Sequence, residues 1–300
     1  MTELTNIRSE RVKTVRSLAG RSARSRAGRF LVEGPQGVRE AVRFAPSAIR
    51  DIYFTRDAYD RYTEIVVEAE LAGMFTHVAT DEVLTAMSPD AQGLLAVLDL
   101  PRSASAEAAA QDLETILASG PRLVAVLSNV RDPGNAGAVI RAADAAGADL
   151  VVLTSESVDI HSPKVVRSTA GSLFHLPVVT GLALPEIVAA LSRHGLTTLA
   201  ADGAGTLDLD DLLDVAGTVG TSTSGASTSG TATSGTATPG APDLARPTAW
   251  IFGNEAWGLR EEDLALADAV VRVPIRGKAE SLNLATAATV CLYASSRAHR

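Results

Sequence analysis

Asn129-Val-Arg-Asp-Pro-Gly-Asn-Ala-Gly137, running on to Arg141, decides the fold class of this chain. Asp132-Pro-Gly-Asn135 makes a tight turn, and Ala136, Val139, Ile140, Ala143 and Ala146 then follow at helical spacing. Asn135 therefore stands at the start of a helix that leaves the C-terminal end of a strand at 123–127. In open α/β sheets that end is where ligands bind. Taken alone, the stretch is also satisfied by an N-capping asparagine and a surface arginine.

Outward from this turn, strands are expected at about 149–153, 173–179, 196–201, 248–252 and 269–273, with helices at about 135–146, 163–170, 184–194, 260–268 and 281–296. Such alternation implies a mostly parallel sheet covered on both faces. Upstream, strands at 30–33, 51–55, 75–79 and 93–99, a helix at about 35–45 and helical spacing from Tyr59 to Leu71 outline a smaller α/β domain. The domains read from the sequence are a basic arm at 1–29, a substrate-binding domain at 30–100, a linker with a helix in its Ala-rich part at 101–120, and a C-terminal domain at 121–300. Residues 217–242 repeat Thr, Ser, Gly and Ala without a charge or a large apolar anchor, so a disordered insert is expected there.

A length of 300 residues with 46% hydrophobic content suits two modest cores. The net charge of −8 is unevenly spread, because residues 1–50 hold eleven Lys or Arg against four Glu. A basic end on an acidic body fits either a polyanion-binding arm or a solvated tail. No apolar run approaches the roughly 20 residues that cross a bilayer, and the polar start lacks a signal peptide's apolar segment, so a cytoplasmic protein is expected. The single cysteine, Cys291, excludes an intrachain disulfide, and the five histidines lack metal-ligand spacing, so no metal is expected.

Two more stretches complete the pattern: Gly253-Asn-Glu-Ala-Trp-Gly-Leu259 and Val273-Pro-Ile-Arg-Gly-Lys-Ala-Glu-Ser-Leu-Asn-Leu284. With the first stretch and Ser162-Pro-Lys-Val-Val-Arg-Ser-Thr-Ala-Gly171, their order resembles the motifs of the SpoU (TrmH) family of RNA ribose 2'-O-methyltransferases over most of 121–300. More loosely, residues 30–99, ending in Ser88-Pro89 to Gln92-Gly93, resemble the N-terminal substrate-binding domain attached to such enzymes. The resemblance implies a SPOUT-like sheet with a trefoil knot, a homodimer, S-adenosylmethionine as cofactor and RNA as partner, with large-subunit ribosomal RNA favoured over transfer RNA.

The resemblance also implies roles. Asn135 would position Arg141 and contact substrate, while Arg141 would act at the ribose 2'-hydroxyl. A guanidinium with a pKa above about 12 is a poor base, so the role given to Arg141 is to hold the adjacent phosphate and stabilise the developing alkoxide, with that phosphate receiving the proton. Glu255, Ser281 and Asn283 would support the site and orient substrate; as ordinary structure, Glu255 is a first-turn carboxylate and Ser281 an N-cap. Gly253, Val273, Ile275, Leu282 and Leu284, with Ser281 and Asn283, would form an apolar slot for the cofactor, where Gly253 lets a ligand approach the backbone. Lys164, Arg167, Arg21, Arg24 and Arg26, besides Arg141, are candidates for RNA phosphates. Twelve Phe, Tyr and Trp residues are too few for stacking on many splayed bases.

Two readings from other classes are weaker. A non-catalytic RNA-binding or ribosome-assembly factor would have no need of the intact set Asn135, Arg141, Glu255, Ser281 and Asn283. A dinucleotide-dependent oxidoreductase would need Gly-x-Gly-x-x-Gly after its first strand, which is missing.

Overall fold

The computed structural model describes residues 3–101, 105–217 and 240–300. They form two compact units, one made of the chain up to residue 101 with Pro133–Arg141 and Val158–His175, the other of the remainder. Most of the expected insert, residues 218–239, lies outside the described residues.

The first unit runs α1 (Glu10–Ser17), α2 (Arg21–Ala27), β1 (Arg29–Glu33), α3 (Pro35–Phe44), β2 (Ile49–Thr55), α4 (Arg56–Arg61), α5 (Thr63–Leu71), β3 (Thr76–Ala79), α6 (Asp81–Met87) and β4 (Leu94–Asp99). Its sheet has the order β1-β4-β2-β3, with β4 antiparallel to both neighbours and β2 parallel to β3. The strands alternate strictly between two cores, as their two-residue period requires. Phe30, Val32, Ile52, Phe54, Leu94 and Ala96 pack against α3 and α5. Leu31, Tyr53, Leu95 and Val97 pack against Val12, Val15 and Leu18 and against Val83, Leu84 and Met87 of α6.

The second of these cores corrects the picture of residues 1–29 as an arm. The segment is folded, with Ser9 capping α1 at Val12 N–H and Leu4 bridging to Ala79. Burial of three side chains such as Val12, Val15 and Leu18 contributes roughly 1.5–3 kcal/mol each, so α1 covers a sheet face that would otherwise be wet. Arg24 is corrected with it. Its side chain is buried, Nη1 donates to the Leu18 and Ala19 carbonyls that end α1 (2.9 and 2.7 Å), and Nη2 donates to Asp159 (2.6 Å). That guanidinium is committed to the fold and cannot reach for phosphate. The helical spacing from Tyr59 to Leu71 also splits, because Tyr62 leaves helical geometry (φ −105°, ψ 52°) and separates α4 from α5.

Beside Asp159 lies His161, packed at a tilt against Phe30 with ring centroids 4.7 Å apart and an interplanar angle of 59°. Burial pushes its imidazole down to about 4; Asp159 opposes this shift and Arg24 adds to it. Burial pushes the Asp159 carboxyl up, but the hydrogen bonds it accepts from Arg24 and the His161 amide hold it below the usual carboxylate range. The folded state thus prefers neutral His161, and its contribution is full above about pH 6.5, the unfolded value, and lost as pH falls toward 4. We expect stability to drop by up to about 3 kcal/mol across that window, with the Asp159 loss following at lower pH. Denaturant midpoints at pH 7 and 4.5 check this, and His161→Gln should flatten the slope. An equal slope in the variant would contradict it.

The second unit takes α7 (Ala106–Leu117), β5 (Leu123–Leu127), β6 (Leu150–Thr154), β7 (Val178–Leu182), α10 (Leu184–Arg193), β8 (Thr197–Ala201), β9 (Leu207–Asp208), α11 (Leu209–Asp214), β10 (Thr248–Phe252), α12 (Glu261–Leu264), β11 (Ala269–Arg272) and α13 (Leu284–Ala298). Of the remaining helices, α8 (Pro133–Ala145) starts in the first unit and ends in the second, and α9 (Pro163–Ser168) belongs to the first. Seven strands form one sheet in the order β7-β6-β5-β10-β8-β11-β9, every pair parallel. Leu123–Leu127, Leu150–Thr154 and Thr248–Phe252 are buried throughout, which is why they read as continuous apolar runs. One core joins α7 and α10 to Val124, Val126, Val152 and Ile251. Trp250 is held by its Nε1–H to Ser295 of α13 (2.9 Å).

Three expectations shift here. Residues 172–174 are a short 3-10 turn, and the strand begins only at Val178; Leu173 and Phe174 are apolar because they pack in the first unit's core. The helix of the supposed linker belongs to the second unit, since Ala109, Leu113 and Leu117 form its buried stripe. The short elements β9 and α11 had no counterpart in the periodicity.

Candidate active site

β5 and β10 lie side by side in register, Leu127 opposite Phe252, so the stretches that follow them emerge together. Sheet order reverses here, with β6 and β7 on one side of β5 and β10, β8, β11 and β9 on the other. Such a switch point opens a crevice at the strands' C-terminal ends.

The two stretches are knitted by hydrogen bonds. Ser128 N–H donates to the Phe252 carbonyl (2.8 Å). Asn129 is buried in left-handed backbone (φ 58°), a conformation asparagine tolerates better than most residues, and its N–H donates to Thr154 Oγ1 (3.0 Å). Asn254, also buried, donates from Nδ2 to the Asn129 carbonyl (2.7 Å) across 125 residues of chain. Glu255 accepts from the amides of Arg131 (3.3 Å) and Asp132 (3.0 Å). Glu255 is thus a bracket on the turn that leads into α8, a role stronger than a first-turn carboxylate. Nothing in the sequence marks Asn129 and Asn254, so far apart along the chain, as partners.

From that turn α8 starts at Pro133 and carries Asn135 and Arg141. Asn135 is half-buried and Arg141 exposed. Six residues apart on a helix, they do not share a face. Ala136, Val139, Ile140 and Ala143 are the buried positions. Gly137 is required by packing, since a Cβ there would lie 1.8 Å from Ser168 Oγ of α9.

Gly253 has an unexpected reason. A Cβ on it would meet the Gly258 backbone at 2.3 Å and Leu259 N at 2.5 Å. What approaches this glycine is the chain itself, folded back by the paired bonds Asn254 N–H to Gly258 O and Gly258 N–H to Asn254 O, both 2.9 Å. Beyond β11, residues 274–282 form no backbone hydrogen bond with another described residue. Val273 is half-buried, Ile275 and Leu282 are 40% and 37% exposed, Ser281 is exposed and Leu284 half-buried. These apolar side chains therefore stand on an open, exposed loop. The N-cap of α13 is Asn283, whose Oδ1 accepts from Ala285 N–H at 2.9 Å and weakly from Thr286 N–H, and not Ser281. Apolar side chains beside backbone donors and acceptors fit an adenosine, which offers a flat apolar ring with hydrogen-bonding edges.

Of the cationic candidates, Arg21, Arg26 and Lys164 are exposed. Arg167 bridges two carboxylates, Glu33 and Asp90 (2.9 Å to the latter), and Ser88 also donates to Glu33. Like Arg24, Arg167 is engaged within the protein. Among the described residues no cluster of His, Cys, Asp or Glu could hold a metal, and no helix is long and apolar enough to cross a membrane.

Comparison with known proteins adds to this geometry. A family model described as the SpoU rRNA Methylase family matches residues 122–293, and one described as an MRM3-like substrate binding domain matches residues 9–96, α1 and α2 included. The 23S rRNA (guanosine(2553)-2'-O)-methyltransferase RlmP of Bacillus subtilis is 28% identical over 98% of this chain and 98% of its own length. The 23S rRNA (uridine(2479)-2'-O)-methyltransferase of Streptomyces viridochromogenes is 31% identical over 93% of this chain and 86% of its own. The crystal structure of the SpoU methyltransferase AviRb from Streptomyces viridochromogenes in complex with AdoMet matches with a TM-score of 0.73 at 27% identity, covering 96% of this chain and 98% of that one.

Proposed function

This chain belongs to the SpoU rRNA methylase family, and from that premise we propose that it transfers a methyl group from S-adenosylmethionine to a ribose 2'-hydroxyl of large-subunit ribosomal RNA. The observation that carries the reading is the junction at the ends of β5 and β10, where Glu255 and Asn254 hold the turn from which Arg141's helix departs. Several relatives are named as 23S rRNA 2'-O-methyltransferases, which favours ribosomal over transfer RNA.

Val273, Ile275, Leu282 and Leu284 would hold the adenosine, with backbone groups of the 274–282 loop reading its edges. When bound, S-adenosylmethionine supplies an electrophilic methyl group on its sulfonium sulfur. Arg141 grips the phosphate beside the target ribose and stabilises negative charge growing on the 2'-oxygen. Asn135 and Ser281 orient the ribose, while Glu255 and Asn283 act through the backbone they hold. Arg21, Arg26 and Lys164 neutralise phosphates farther along the RNA.

The family reading extends to a trefoil knot in the second unit, to action in the cytoplasm and to a homodimer. On α13, Val290 and Tyr293 are 40% and 48% exposed beside buried Cys291 and Leu292, an apolar face suited to a second copy.

Calorimetric titration with S-adenosylmethionine, paired with labelled methyl transfer to unmodified 23S rRNA transcripts, tests the core of the proposal. Binding without added metal and chelator-resistant transfer to the ribose oxygen are expected. Absence of cofactor binding, or transfer to a base, overturns it.

A further inference from the structure

The chain has two tryptophans, and they are treated oppositely. Trp250 is fully buried, whereas Trp257 is 49% exposed in the loop between Asn254 and Gly258. A half-exposed indole offers a flat apolar face to whatever meets it. Its loop is rigid. The paired bonds between Asn254 and Gly258 close it, Ala256 N–H donates to Asn254 Oδ1 (2.8 Å), and Asn254 is itself anchored on Asn129. The guanidinium of Arg131 lies over the indole, 5.6 Å from the ring centroid, and the Arg131 amide is fixed by Glu255. The indole therefore meets solvent as an oriented surface beside a cation, two residues along the chain from Glu255.

We propose that Trp257, backed by Arg131, is a stacking platform for one unpaired nucleobase of the RNA substrate. The inference rests on the RNA-methylation reading above. A flat indole supplies dispersion to either face of a base, and the adjacent guanidinium supplies the positive charge that draws the flanking phosphate. The ligand class is drawn from that pairing, an indole face for a base beside a guanidinium for the phosphate that flanks it.

The indole is its own reporter. Titration of the full-length protein with a single-stranded oligouridylate at low salt should quench tryptophan emission in the wild type, and the quench should vanish in Trp257→Phe, which retains Trp250. A duplex of equal length should quench little. In methyl transfer, Trp257→Ala should raise KM for the 23S transcript roughly tenfold or more with kcat nearly held, and Trp257→Tyr should recover most of the loss. The S-adenosylmethionine titration heat should be unchanged in all three variants. An unaltered KM in Trp257→Ala overturns the platform, as does an emission change driven by the cofactor alone or by dilution, which would place the indole against the cofactor or a second subunit. Failure of the methylation reading looks different: the wild type then neither binds cofactor nor methylates, whatever the quench.

Discussion

Replacing Arg141 with alanine is expected to lower methyl transfer by about 100-fold or more, the usual cost of losing a donor aimed at transition-state charge, while S-adenosylmethionine affinity and melting temperature stay near wild type. Arg141 is exposed on α8, so its removal opens no cavity. The proposed cofactor residues lie elsewhere in sequence, from 253 to 284. Arg141→Lys should fail almost as badly, because a point charge on a flexible stem cannot reproduce a planar fork that holds a phosphate and a hydroxyl together. Single-turnover rates at saturating cofactor are the measurement. Near-wild-type transfer by either variant would return Arg141 to the role of a surface charge.

The second large effect is expected from Gly253→Ala. The added Cβ would sit 2.3 Å from the Gly258 carbonyl carbon and 2.4 Å from its oxygen, and both are backbone atoms in a loop closed by two hydrogen bonds. Neither side can yield as a flexible side chain would. The 254–258 loop must shift, carrying with it Asn254's bond to Asn129 and Glu255's grip on the Arg131 and Asp132 amides. Overpacking of this kind costs about 1–3 kcal/mol or more, and we expect a melting temperature lower by several degrees together with reduced methyl transfer. A glycine needed only for ligand approach would behave differently. It would lose cofactor affinity and keep its melting temperature, and that result would refute the packing explanation.

The folded state also changes which experiment can test the basic N-terminal segment. Deleting residues 1–29 would strip Val12, Val15 and Leu18 from a core and leave Asp159 without Arg24, so the truncated protein would report on folding. Point substitutions at exposed Arg21, Arg26 and Lys164 separate RNA capture from stability.

Much of the fold was legible because local periodicity reports burial. The apolar runs at 123–127 and 248–252 read as strands covered on both faces, and the spacing of Ala136, Val139, Ile140 and Ala143 after a Pro-Gly turn reads as a helix beginning near Asn135. The three motif stretches, in their order, likewise named the family and the side chains of interest. Periodicity tells that a face is apolar, but not what covers it. Tertiary structure alone put α1 over the N-terminal sheet, sent Leu173 and Phe174 into the first unit instead of a strand, and spent Arg24 and Arg167 on buried or bridging carboxylates. It also set β5 beside β10, so that two asparagines and a glutamate 123 to 125 residues from their partners close one junction. Hydrogen bonds across such separations leave no trace in any local window, because strand order, and not spacing along the chain, decides which backbone groups come within reach.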